Sequence, residues 1–141
     1  MKYHSKSEQD TLNFAAKFAE TLDPGSIIAL YGELGAGKTV FAKGLAKKLG
    51  IIEPIQSPTF VIACEYSIPL SSSKIRYLYH LDLYRIDGIY SAMAFGIEEY
   101  IQANCAVTLI EWPERINNIL PQKTKKIEIK HRSENEREII F

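Results

Sequence analysis

Gly32-Glu33-Leu34-Gly35-Ala36-Gly37-Lys38-Thr39 decides how the rest of the chain is read. It fits G-x-x-x-x-G-K-[ST], a pattern whose backbone wraps a phosphate group. Its glycines carry no Cβ, so the loop can curl and aim its N–H groups inward. The stretch Ile27-Ile28-Ala29-Leu30-Tyr31 before it reads as a buried strand. The stretch Val40 to Leu49 after it has apolar residues at helical spacing, and Gly50 stands where a helix-ending glycine belongs. Strand, glycine loop and helix together predict a phosphate site facing the positive end of a helix. In it Lys38 reaches the β/γ-phosphates and the Thr39 hydroxyl is a ligand for Mg²⁺. The predicted contact set is Glu33, Leu34, Gly35, Ala36, Gly37, Lys38, Thr39 and Val40. A chance glycine-rich turn is the competing reading, and the flanks argue against it.

Composition narrows the class. At 141 residues the chain is long enough for one domain with a core and short for two, so residues 1–141 are read as a single domain. Lys+Arg and Asp+Glu both number 17, a balance that argues against a main nucleic-acid binder, which needs a basic face. Met1 to Asp10 is polar and no apolar stretch is long enough to span a bilayer, so a soluble cytoplasmic protein without membrane contact is expected. Cys64 and Cys105 each sit in an apolar run and are expected to be buried, unreactive thiols.

Outward from the loop, Ser7 to Asp10 resembles a helix-capping box, and an apolar face extends the helix to about Leu22, where Asp23-Pro24-Gly25 stops it. Thr11 on that helix is a candidate for the neighbourhood of a nucleotide base; a solvated helix residue is the alternative. Val61 to Tyr66 is β-like, Ser67 to Lys74 is a polar connection, and a returning strand starts at Ile75 and runs on toward Arg85. Ser91 to Ala103 is helical with an interruption at Gly96. Ala106 to Trp112 is an apolar strand, Glu114 to Leu120 a short helix, and Lys125–Lys130 with Glu138–Phe141 a terminal hairpin turning at Ser133-Glu134-Asn135.

A phosphate loop that hydrolyses ATP needs a second acid for its metal. Glu111, at the C-terminal end of an apolar strand, is the best placed, because open α/β sheets gather ligands there. An acid merely facing water is the alternative. Asp82 is a second candidate, for water-mediated metal binding or for orienting the attacking water, against a simple pairing with Arg85. Thr59 is a candidate γ-phosphate sensor, against a hydroxyl that only caps a turn. Trp112 suits either core packing or an interface. His80 reads as structural, since no second histidine lies at metal spacing.

The succession GELGAGKT, SPTF, HLDLYR, GIEEY and LIEWPE, spread over nearly the whole chain, resembles the TsaE family of bacterial tRNA threonylcarbamoyladenosine (t6A) biosynthesis. The resemblance implies a P-loop ATPase, weakly active alone, that works with two partner proteins of sugar-kinase-like fold, the TsaB and TsaD types. It implies ATP and Mg²⁺ as cofactors and tRNA as the substrate of the complex; the zero net charge leans against direct contact of this chain with tRNA. By residue, it implies that Lys38 and Thr39 hold phosphate and metal, that Glu111 is the second metal residue, and that Thr59 and Asp82 are switch or catalytic positions. The chain departs from the family pattern at Ile89-Tyr90-Ser91, where an acidic stretch is common, at Glu33, where Asp is common, and in a longer loop at Ser71-Ser72-Ser73.

Two other functions compete: a small-molecule kinase using the same loop, and a nucleotide-binding regulator that never hydrolyses. The scattered arginines argue against a kinase lid, and Glu111 argues against the regulator. The expected fold is α/β of the P-loop NTPase type: three layers, α/β/α, with a mostly parallel sheet and antiparallel edge strands.

Overall fold

The computed structural model describes residues 1–69 and 74–141. Its centre is a seven-stranded sheet. In chain order the elements are β1 (Lys2–Ser5), α1 (Glu8–Ala19), β2 (Ile27–Tyr31), α2 (Lys38–Lys48), β3 (Ala63–Ser67), β4 (Tyr77–Asp82), α3 (Ile89–Phe95), α4 (Ile97–Ile101), β5 (Ala106–Glu111), a 3-10 helix (Pro113–Ile119), β6 (Lys125–His131) and β7 (Arg137–Ile140). The strand order is β1-β7-β6-β2-β5-β4-β3. The four inner strands β6, β2, β5 and β4 pair in parallel, while β3 and the β7–β1 pair add antiparallel edges.

The sequence explains this order. β2 and β5 are unbroken apolar runs because both of their faces are covered. On one face, Ile28, Leu30, Leu78 and Leu109 pack with Ala15 of α1 and with Phe41 and Leu45 of α2. On the other, Ile27, Leu81 and Ile110 pack with Ala92, Ile97 and Ile116. The result is the expected three-layer α/β architecture. Since β2 lies between β5 and β6, while the chain leaving α2 goes to the far edge at β3, the sheet reverses its winding direction beside the C-terminal end of β2. Ligand crevices form at such points.

The two helices on the first face touch closely. A Cβ at Gly44 would stand 2.5 Å from the Leu12 carbonyl oxygen and 2.9 Å from the Ala15 Cβ. Backbone cannot yield as a flexible side-chain end can, so Gly44→Ala is expected to destabilise the fold by roughly 2–3 kcal/mol. That corresponds to about 5–10 °C in melting temperature. A thermal melt checks it; an unchanged midpoint would contradict so close a crossing of α1 and α2.

Several boundaries differ from expectation. Regular helix in α1 ends at Ala19, and Glu20, Thr21 and Leu22 follow in tight i−3 turns that still bury Leu22. In the cap, Ser7 accepts from the Asp10 N–H, while Asp10 accepts from Lys6 rather than from Ser7. Val61 and Ile62 are not strand: Ile62 takes φ +69° and its N–H closes a turn on the Pro58 carbonyl, so β3 starts at Ala63. β4 starts at Tyr77 and stops at Asp82, and α4 stops at Ile101. The expected interruption at Gly96 is present, with φ +96° separating α3 from α4. Cys105 is exposed, in the turn that leads into β5, and Cys64 is half-buried on the edge strand β3, so the expectation of two buried thiols fails. The long loop proposed at Ser71-Ser72-Ser73 lies outside the described residues. No helix among the described residues is long and apolar enough to cross a membrane.

Candidate active site

The phosphate loop leaves the C-terminal end of β2 and enters α2 at Lys38. Gly32 is required by close approach: at φ +151°, a Cβ there would lie 2.8 Å from the Ile129 carbonyl oxygen of β6. Gly37 caps α2 at φ +104° with no side-chain cap bond. Among the described residues, the N–H groups of Gly37, Lys38, Thr39 and Val40 have no protein acceptor. Four unpaired donors at the start of an 11-residue helix, with its positive dipole end, form a receptor for an anion.

Lys38 reaches back over this loop. Its Nζ donates to the Gly32 carbonyl at 2.6 Å and sits 4.5 Å from the centre of the Trp112 ring. Trp112 is held there by an uncommon backbone, φ +56°, at the turn from β5 into the 3-10 helix. The Tyr84 ring packs against the Trp112 ring at 5.1 Å between ring centres. The cation–π contact and the carbonyl bond keep the ammonium at the cleft, where it has no carboxylate partner among the described residues.

Asp82 and Glu111 are register partners at the ends of the adjacent parallel strands β4 and β5. Both lie on the sheet face that carries α2, because Leu78 and Leu109 of the same strands pack into that layer. Glu111 is 3% exposed and accepts from His80 Nε2 at 3.1 Å. It is therefore a buried, oriented acid and not one facing water. A carboxylate oxygen only accepts, so Nε2 carries the proton, and the buried Nδ1 has no hydrogen-bond partner among the described residues. Asp82 accepts from the Thr59 hydroxyl at 2.9 Å and from the Tyr84 N–H at 2.9 Å. The expected alternative of an Asp82–Arg85 pair fails: Arg85 stacks instead on the Phe60 ring at 4.5 Å. Thr59 spends its one proton on Asp82, so Ser57, 2.8 Å away, must donate to Thr59. Ser57, Thr59 and Asp82 thus form a directed chain ending on the carboxylate.

Lys38, Trp112, Ser57, Thr59, Asp82 and Glu111 line one cleft of about 270 Å³ together with Leu34, Gly35, Gly37, Thr39 and Val40. Glu33 lies outside it, on the exposed rim, and the Ala36 side chain points into the core. Thr11 lines a smaller groove together with Gly37, Val40, Ser7, Glu8, Glu134 and Asn135. The reading of Thr11 as a solvated helix residue fails, since it is 2% exposed and its hydroxyl bonds Ser5 at 2.7 Å. On the rim, burial raises the Tyr31 hydroxyl's pKa and the nearby Glu114 carboxylate adds to the rise. Tyr31 donates to the Asn117 side-chain oxygen at 3.0 Å.

One side chain at the cleft was not singled out by motif. Arg137, at the start of β7, lines both the cleft and the Thr11 groove. No local pattern marks it, because it reaches the loop across 101 residues of chain. Arg85 is not among the cleft-lining residues.

The donor set fits a nucleotide phosphate with a hard cation. Main-chain N–H groups and Lys38 suit phosphate oxygens, and Thr39 and Glu111 offer oxygen ligands. Among the described residues no three His, Cys, Asp or Glu are grouped to hold a metal alone. Mg²⁺ at phosphates needs only one or two protein oxygens.

The model of the family described as "Threonylcarbamoyl adenosine biosynthesis protein TsaE" matches residues 5–139. The Bacillus subtilis TsaE protein is 38% identical over 141 residues, covering 100% of this chain and 84% of its own. The Treponema pallidum TsaE protein is 38% identical over 139 residues, covering 99% and 98%. The crystal structure of Bacillus subtilis YdiB superposes with a TM-score of 0.78 at 35% identity, covering 99% of this chain and 82% of that one. With the phosphate loop, the paired acids and this likeness along nearly its whole length, the chain belongs to the TsaE family of threonylcarbamoyl adenosine biosynthesis proteins.

Proposed function

We propose that the cleft binds ATP with Mg²⁺ and hydrolyses it in support of tRNA threonylcarbamoyladenosine formation. The observation that carries this reading is the meeting, in one cleft, of four unpaired N–H donors, Lys38, Thr39 and two oriented carboxylates. Lys38 holds the β/γ-phosphates once they replace its bond to Gly32, and its contact with Trp112 keeps it from swinging into solvent. Thr39 and Glu111 hold the metal, which supplies positive charge against the phosphate oxygens. His80 fixes which way the Glu111 carboxylate faces. Asp82, steadied by Tyr84 and Thr59, orients the attacking water. Thr59 is placed to exchange its bond to Asp82 for one to the γ-phosphate, making the Ser57–Thr59 turn responsive to nucleotide state. The groove beside Thr11 takes the base.

The chain acts as a single cytoplasmic P-loop ATPase domain beside two proteins of sugar-kinase-like fold, the TsaB and TsaD types. This arrangement is supported by the family membership. Its zero net charge favours little direct contact with tRNA. Reconstitution tests it. Partners and tRNA from the same organism should form t6A over repeated turnovers only when this chain and hydrolysable ATP are both present. Equal yield without the chain would refute the role.

A further inference from the structure

We propose that Arg137 is a positioning residue of the phosphate loop, setting the direction of the Gly37 N–H by holding the carbonyl before it. The inference rests on the nucleotide-binding reading above and adds a residue to it.

The Arg137 guanidinium faces backbone carbonyls on two separate segments. Its Nε donates to the Ala36 carbonyl of the phosphate loop at 2.9 Å. Its Nη1 donates to the Ser133 and Glu136 carbonyls of the β6–β7 turn, each at 2.9 Å, with a longer contact of 3.4 Å to Glu134. Among the described residues it has no carboxylate partner. β1 helps place it, since Ser5 and Arg137 are register partners.

A trans peptide points its C=O and its N–H in opposite directions. Pinning the Ala36 carbonyl on Arg137 therefore fixes the Gly37 N–H on the opposite side. The same bond polarises the Ala36–Gly37 peptide, which makes that N–H a better donor to an anion. Gly37 also needs an anchor: with no Cβ and φ +104°, nothing on the residue itself holds this peptide plane. The planar fork of arginine reaches two segments from fixed directions, whereas the single nitrogen of lysine cannot serve both.

The test compares Arg137→Ala and Arg137→Lys with the wild-type chain. A fluorescent ATP analogue is displaced with Mg-ATP and, separately, with Mg-tripolyphosphate, which has no base or ribose. Arg137→Ala should weaken both competitors by the same factor, about tenfold, and Arg137→Lys should recover little of it. Loss for ATP with unchanged tripolyphosphate binding would overturn the proposal, since Arg137 would then touch base or ribose. Full recovery with Lys would also overturn it, leaving only a charge effect. Each variant's thermal melt is recorded first. Should Arg137→Ala not fold, Arg137→Gln, which keeps part of the stem and a neutral NH2 donor, takes its place with the same expectation. Wild-type binding with unaffected variants overturns this inference alone. Absence of wild-type binding to either competitor overturns the nucleotide reading and this inference together.

Discussion

Lys38→Ala should lower ATP turnover by about 10³-fold, the loss typical when one preorganised charge-stabilising group is removed. The side chain is nearly buried, and among the described residues its ammonium bonds the Gly32 carbonyl and sits over the Trp112 ring. Both survive its loss: the carbonyl can take water from the open cleft and the indole still packs on Tyr84. The fold should therefore hold while the positive charge opposite the transferring phosphoryl group disappears. Phosphate release under saturating Mg-ATP, with circular dichroism as the fold control, checks it. Turnover within tenfold of wild type would mean that Lys38 does not face the reacting phosphate.

Glu111→Gln separates hydrolysis from binding. Glutamine keeps the shape, and its side-chain oxygen can still accept the His80 Nε2–H bond. What goes is the negative charge in the cleft that Thr39 also lines. Turnover should fall about 10²-fold while the affinity for ATP changes only a few-fold, because the unpaired N–H groups and Lys38 are untouched. Unaltered turnover would point to Asp82 as the sole catalytic acid. A parallel collapse of binding and turnover would make Glu111 part of the nucleotide receptor and leave no acid dedicated to hydrolysis.

How much of this could be read from the chain follows from how local each feature is. β2, the loop and α2 were legible because strand period, glycine spacing and helix period sit side by side within 22 residues, Ile27 to Lys48. β5 was legible because an unbroken apolar run ending in an acid has few other uses in an α/β protein. β1 was not: Lys-Tyr-His-Ser is polar, lies at the edge, and buries only Ser5. Its pairing with β7 joins opposite ends of the chain, and nothing near it announces that. The start of β3 was misjudged because Val61 and Ile62 have strand-like side chains but a turn-forming backbone, and both Phe60 and Val61 are exposed.

The site divides along the same line. Leu34, Gly35, Gly37, Lys38 and Thr39 of the motif meet Glu111, Asp82 and Thr59 in one cleft because β2, β4 and β5 all end at the same edge. The links between them were beyond reach of spacing. His80 bonds Glu111 across strands, and Arg137 joins a turn to the loop through carbonyl oxygens that carry no side-chain signature. Cys105 shows the converse: an apolar neighbourhood in sequence ended in an exposed turn.

The most direct measurement of the central claim is phosphate release from ATP by this chain, alone and with the two proposed partners of TsaB and TsaD type, with Mg²⁺ and again with the metal chelated. The account predicts slow, Mg²⁺-dependent release from the chain alone and a marked rise on adding the partners. ATP bound tightly but never cleaved, even with folded partners and Mg²⁺ present, would contradict it.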